Sequence, residues 1–298
     1  MFMSNSKYKY MRKNSDDKHE FLELQDKMLE IMYNIHDFCV KNGIEYCLMG
    51  GSVLGARRHG GFIPWDDDMD IFMTAVNYDK FRKLFNDTNA FPNYHLQEWG
   101  LTDGMITIAK VRDSNTTYIE SELKNWKINQ GIFIDIFILH VAPNNKLLQY
   151  RQCFWAKYVV CKSLANKNYV KRRGAVSILM KLLRMFPEKF LIKYGLKQVY
   201  KYQYKNTNYY CNFLGKAGFK KGLYKKEWFL PYRLAKFETV KLYVPAKIDD
   251  FLKCRFGDYM KIPSADRIKW EQHAEFWDTK NSYKTIVGDS LADESKLM

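Results

Sequence analysis

Four carboxylates crowd into Asp66-Asp67-Asp68-Met69-Asp70, and this limits what the chain can become more than any other feature. Ile63, Pro64 and Trp65 precede the run and Ile71, Phe72 and Met73 follow it, so it leads into a core. Its second half alternates acid and apolar residues, which predicts a strand that sets Asp66, Asp68 and Asp70 on one face. Like charges sharing a face repel, so they are no stability device. A solvated acidic turn is the ordinary reading of an acid run, and the apolar flanks argue against it. A divalent cation resolves the conflict. Hard Mg²⁺ prefers carboxylate oxygens combined with substrate phosphates.

Upstream, residues 44–49 form a strand-like run that leads into Gly50-Gly51-Ser52, and residues 53–59 read as a short helix. Glycines between a strand and a helix let backbone N–H groups and the Ser52 hydroxyl approach a phosphate, with the positive helix end behind them. Many turns contain such a triplet, so alone it is weak. Asp135 is the third element, a lone acid in the apolar run Ile132-Phe-Ile-Asp-Ile-Phe-Ile-Leu139. A buried carboxylate needs a paired charge or a metal, and a neighbouring strand that points Asp135 at Asp68 and Asp70 would complete a three-carboxylate site.

Around this centre the pattern is mixed. Apolar residues recur at helical spacing over 19–42, ending at Gly43, and 78–85 reads as a second helix. Strands are predicted at 105–112, 116–120, 132–139 and 240–244, with a helix after Pro245. Residues 1–18 read as a flexible arm and 289–298 as a frayed tail. The six cysteines lack metal-ligand spacing, and His59 and His273 have no local partner that argues for a role.

The formal charge of +15 is not spread evenly. Residues 1–145 are net −4 and 227–298 net zero, whereas 146–226 carry 20 basic residues against one acid, Glu188. The segment reads as basic, aromatic helices up to about Tyr210, with an interfacial pattern over 176–196 that Pro187 divides. An anionic partner follows: membrane lipid, acidic glycan or nucleic acid. Hydrophobic residues at 47% exclude disorder as the main state. With no apolar run near ~20 residues and no secretory pattern in residues 1–18, the expectation is an intracellular protein.

The string Met49-Gly-Gly-Ser-Val-Leu-Gly-Ala-Arg-Arg-His-Gly-Gly-Phe-Ile-Pro-Trp-Asp-Asp-Asp-Met-Asp-Ile71 resembles the signature of the LicD/fukutin family, within the nucleotidyltransferase fold. Lys110-Val-Arg-Asp113 with Thr116-Thr117, the run around Asp135, and Phe256-Gly-Asp-Tyr-Met-Lys-Ile-Pro263 followed by His273 are similar to later blocks of that family. The resemblance covers roughly residues 20–142 and 227–275, and the basic segment lies outside it.

It implies an α/β (α+β) fold: a nucleotidyltransferase-like mixed sheet flanked by helices, with a basic helical insertion. The domain reading is a catalytic core at 19–145, the insertion at 146–226, and a C-terminal part of the same domain at 227–288. It also implies an enzyme, a phosphotransferase that moves phosphocholine from CDP-choline to a hydroxyl of lipopolysaccharide, capsule or teichoic acid and releases CMP. CDP-ribitol and CDP-glycerol are the alternative donors, and a non-catalytic membrane- or nucleic-acid-binding module is the alternative of another class. Nucleic-acid signatures are absent, so no nucleic-acid partner is expected.

Carried onto this chain, Asp68, Asp70 and Asp135 are the metal and catalytic carboxylates, for one or two Mg²⁺, with Mn²⁺ as a substitute. Gly50, Gly51, Ser52, Arg57, Arg58, Lys110 and Arg112 are the donor-phosphate candidates. Choline needs an aromatic cage, for which Trp65 and Tyr118 stand first, with Trp99 and Trp126 behind them. The expected place of work is the cytoplasm, peripheral to the inner membrane face through residues 146–226.

Overall fold

The computed structural model describes residues 18–98, 108–121, 123, 124, 126, 128–166 and 188–287. The expected arm and tail, Trp99, and most of the interfacial pattern at 176–196 lie outside these residues.

Helix α1, Leu22–Lys41, buries Leu24, Met28, Ile31, Met32, Ile35 and Phe38, the predicted apolar stripe, and stops where Gly43 takes a φ of +57°. The short strand β1, Cys47–Leu48, pairs antiparallel with β2, Asp70–Thr74. Between them α2 spans Gly50–Arg58. The helix thus starts at the glycines rather than after them. Gly50 sits at a φ of +55°, a left-handed conformation that costs a residue without Cβ little.

After helix α3, Ala75–Thr88, come β3, Tyr94–Gln97, β4, Ile108–Asp113, and β5, Thr117–Glu120. The central strand β6, Ile132–Ala142, is longer than its predicted span. The main sheet runs β1-β2-β6-β4-β3, with β2 and β6 parallel and the other pairs antiparallel. The architecture is a mixed α/β sheet flanked by helices.

The basic segment opens with α4, Lys146–Asn166, and resumes with α5, Glu188–Tyr200. It is not helical to its end. β7, Tyr209–Cys211, pairs with His140–Ala142 of β6, and β8, Leu223–Lys225, pairs with β7. Tyr209, Tyr210 and Cys211 suit a half-buried pleated surface, which explains why sheet pairing wins there. Ala156 and Val159 of α4 pack with Ile192 and Val199 of α5 in a second core, distinct from the main one under α1.

The chain closes through the hairpin β9, Arg233–Phe237, with β10, Val240–Val244, then α6, Ile248–Phe256, and α7, Ala265–Glu271. Last come β11, Ala274–Asp278, which pairs antiparallel with β5, and α8, Tyr283–Val287. Among the described residues no helix is long and apolar enough to cross a membrane. All six cysteines are free thiols, and burial pushes the Cys39 and Cys47 thiols up.

Candidate active site

Register assembles the site. In the parallel pair Asp70 stands opposite Asp135, and in the antiparallel pair Asp135 stands opposite Lys110. Three charged residues far apart in sequence therefore form one row across β2, β6 and β4. Lys110 Nζ lies 2.9 Å from Asp135 Oδ1 and 3.5 Å from Glu120, and it sits 3.4 Å above the Phe133 ring. This buried ammonium is shared by two carboxylates and an aromatic face.

The acid run feeds into the row from one end. Ladder pairing of β2 begins only at Asp70, so Asp66–Asp68 are not part of a paired strand. The alternation survives in burial all the same. Asp67 and Met69 are buried, while Asp66, Asp68 and Asp70 are half-buried. Gln25 of α1 fixes this loop by donating to the carbonyls of Ile63 at 3.0 Å and Asp66 at 2.8 Å.

The glycines matter for a reason the sequence reading did not contain. A Cβ on Gly51 would stand 2.5 Å from Asp66 Oδ2, and one on Gly50 would stand 3.1 Å from Asp70 Oδ2. The backbone at the start of α2 thus passes against two carboxylates. Ser52 Oγ accepts a hydrogen bond from the Asp70 N–H at 2.8 Å. That use leaves the Ser52 O–H itself able to donate.

Five carboxyls crowd around this row, and burial pushes all of them up. Burial raises Asp66 and Asp70 well above the usual range, and the neighbouring carboxylates add to it. Asp68 is pushed up to about 6 by burial, although His273 opposes the shift. Asp67 and Asp135 are raised by burial too, with Lys110 working against the shift at Asp135. For Glu120 burial also acts upward, yet Lys110 and Arg112 outweigh it and hold the group below its ordinary value.

Asp67 has a different part. Its Oδ2 accepts from the N–H groups of His273 at 2.6 Å and Ala274 at 2.7 Å, which ties the acid loop to the start of β11. His273 Nε2 then lies 3.7 Å from Asp68 Oδ2. Sequence reasoning missed Asp67, Glu120 and Gln25. Asp67 falls on the inward phase of the alternation, the one signal that could have marked it.

Several cations expected at the donor phosphates are engaged elsewhere. Arg112 is 1% exposed, and its donors go to Gln97, the Gly131 carbonyl and Glu120 at 2.8, 2.9 and 3.2 Å. A guanidinium so enclosed and satisfied orients Glu120 and does not reach a ligand. Arg57 pairs with Asp249 at 2.9 Å on the surface, and Arg58 donates to the Tyr259 carbonyl at 2.8 Å. Both hold α2 to the C-terminal part. Of the cage candidates, Tyr118 is 1% exposed and packs edge-on against Phe133 at 4.8 Å, a core position rather than an open wall. Trp65 is buried with His19, His59 and Arg58 around its ring.

The donor set suits a hard divalent cation. Asp70 Oδ1 is buried and takes no hydrogen bond, and Asp68 carries a charge its surroundings disfavour. Among the described residues no three His, Cys, Asp or Glu side chains already stand as a ligand set. Asp135 is held by Lys110, which leaves Asp68 and Asp70. Two carboxylates are what Mg²⁺ uses when phosphates and water complete its shell.

The LicD/FKTN/FKRP nucleotidyltransferase domain matches residues 43–164. The lipopolysaccharide cholinephosphotransferase LicD of Haemophilus influenzae is 29% identical over 268 residues, which cover 83% of this chain and 94% of that protein. The ribitol 5-phosphate transferases FKRP of Homo sapiens and Mus musculus are 62% identical over 29 residues, 10% of this chain and 6% of each of theirs.

Proposed function

We propose that the chain is a LicD-family phosphotransferase that moves phosphocholine from CDP-choline to a hydroxyl of a cell-surface glycan, with Mg²⁺ as cofactor. The reading rests on one observation: Asp70, which interacts with the neighbouring Asp68, ends the Asp70–Asp135–Lys110 row against the first turn of α2. Asp68 and Asp70 would hold the cation, which when bound supplies charge neutralisation for the diphosphate.

The protein's own groups do the rest. Asp135 accepts the proton of the attacking hydroxyl, and its raised pKa makes it a stronger base than a free aspartate. The glycan oxygen then forms a bond to the phosphocholine phosphorus as the bond to the CMP oxygen breaks, and CMP leaves. Lys110 stabilises Asp135 before the transfer and opposes the negative charge that builds up beside it. The Ser52 O–H and the N–H groups of the first α2 turn bind the donor phosphates. Of the two first cage candidates Tyr118 is enclosed in the core, which leaves Trp65, with Arg58 over its ring, as our choice for the choline side.

Likeness to the FKRP ribitol 5-phosphate transferases favours CDP-ribitol as second choice, with CDP-glycerol behind it. A thermal-shift comparison of the three CDP compounds with Mg²⁺, followed by CMP release on a glycan acceptor, tests the assignment. CDP-choline should give the largest stabilisation. Preference for CDP-ribitol would replace the donor, and no response to any CDP compound would end the reading.

A further inference from the structure

Helix α4 has two faces of unlike fate. Gln149, Gln152, Cys153, Ala156 and Val159 are buried, and Gln152 donates to the carbonyls of Val141 and Val199. On the outer side Leu147, Tyr150 and Phe154 are 76%, 48% and 62% exposed, and Tyr194 of α5 adds a further 39%. Positions 147, 150, 154 and 158 fall on one helical stripe. Such a face is unusual in water, where large apolar groups gather on one side of a helix in order to be covered.

The stripe is also organised. Trp155 lies 5.5 Å from Phe154, 5.7 Å from Tyr158 and 5.0 Å from Tyr194, and Tyr150 stacks on Phe219 at 4.1 Å. Fixed rings lose little entropy when a partner covers them. Lys146 and Arg151 on α4 and Lys193 and Lys197 on α5 are exposed around it. No acid but Glu188 occurs in the whole segment 146–226.

We propose that this outer face of α4 and α5 docks on an anionic lipid surface. The inference goes beyond the transfer reaction and holds whichever alcohol is moved. Leu147 and Phe154 would enter the headgroup boundary while the cations stay at the phosphates, the arrangement of an interfacial helix. Charge selects this partner over a second copy of the chain, since pairing two copies here would set one +19 segment against another. The aliphatic Leu147 selects it over nucleic acid, which stacks on aromatic rings and offers a leucine nothing.

Flotation of the full chain with vesicles of phosphatidylcholine and phosphatidylserine at roughly two to one tests the proposal. Wild type should float with these and far less with pure phosphatidylcholine. The double substitution Leu147→Ser/Phe154→Ser should lower partitioning by about tenfold or more, and Lys193→Gln/Lys197→Gln by about fivefold per charge. All four residues are exposed, so melting midpoints should stay within about 1 °C of wild type, which separates lost docking from lost folding. Failure of the wild type to float, or equal flotation of the Leu147→Ser/Phe154→Ser variant, overturns the proposal. Tight binding of single-stranded RNA, or dimer formation seen by light scattering, overturns it where vesicles are not bound.

Discussion

Replacing Asp68 by asparagine should make the metal-free protein more stable while it destroys the enzyme. The Asp68 carboxyl is pushed up to about 6 from an ordinary 3.8. A difference of about two units corresponds to ~3 kcal/mol of preference for the neutral form in the folded chain. The side chain is 22% exposed, so solvent screening brings the figure to about 2 kcal/mol. At ~2.1 cal/mol/K per residue this chain unfolds with an entropy near 0.6 kcal/mol/K, so the midpoint should rise by about 3 °C.

The sign follows from linkage. A raised folded pKa gives stability that is complete below the unfolded value and lost as pH rises through about 6. D68N, which cannot ionise, should therefore exceed wild type at pH 7.5 in EDTA, and the gap should close towards pH 4. Saturating Mg²⁺ at ~100 times its dissociation constant should raise wild type by ~2.7 kcal/mol, about 4 °C, and D68N by much less. Differential scanning calorimetry at the two pH values, with and without Mg²⁺, measures all of it. A D68N midpoint at or below wild type in EDTA at pH 7.5 would refute the reasoning. So would an equal Mg²⁺ shift in both proteins, because the charge strain and the metal site would then lie elsewhere.

Three further outcomes follow from the same geometry. Asp67→Ala strands the His273 and Ala274 N–H groups, at ~1–3 kcal/mol each, so thermal melts should fall by several degrees, and Asp67→Asn, which keeps an acceptor oxygen, should recover most of the loss. Lys110→Met leaves Asp135 and Glu120 buried without their shared cation and should cost ~3–5 kcal/mol by urea unfolding. Adding Asp135→Asn to Lys110→Met should give back part of that cost, with a coupling energy above ~0.5 kcal/mol in the double-mutant cycle. Gly131→Ala would place a Cβ 2.0 Å from the Asp113 carbonyl, so overpacking of ~1–3 kcal/mol or more should show as a lower midpoint, whereas Gly218→Ala, with open space around it, should not.

Much of the scaffold was legible because its signals are local. The α1 stripe, the β6 run around Asp135 and the strand at Val240–Val244 are fixed by side-chain period and by the need to cover apolar surface. The family signature named the fold and the kind of chemistry. Local signals failed where local preference and tertiary contact diverge. The glycines became the first turn of α2, and residues after Tyr200 left helical structure to pair with β6. The interfacial pattern drew attention to 176–196, while the exposed stripe stands on α4, whose sequence spreads polar and apolar residues evenly around the helix and so does not reveal which face is covered.

The sequence by itself determined that carboxylates would be concentrated next to a glycine turn and that the excess positive charge would lie in one segment. Only the tertiary structure decided which charges meet. Lys110 reaches Asp135 through an antiparallel register, Asp135 reaches Asp70 through a parallel one, and Asp67 binds backbone groups at His273 and Ala274. Strand order and register depend on the packing of the whole sheet, because a slip of one residue sends every side chain to the other face. The same packing turned Arg112 from an expected phosphate ligand into the buried support of Glu120.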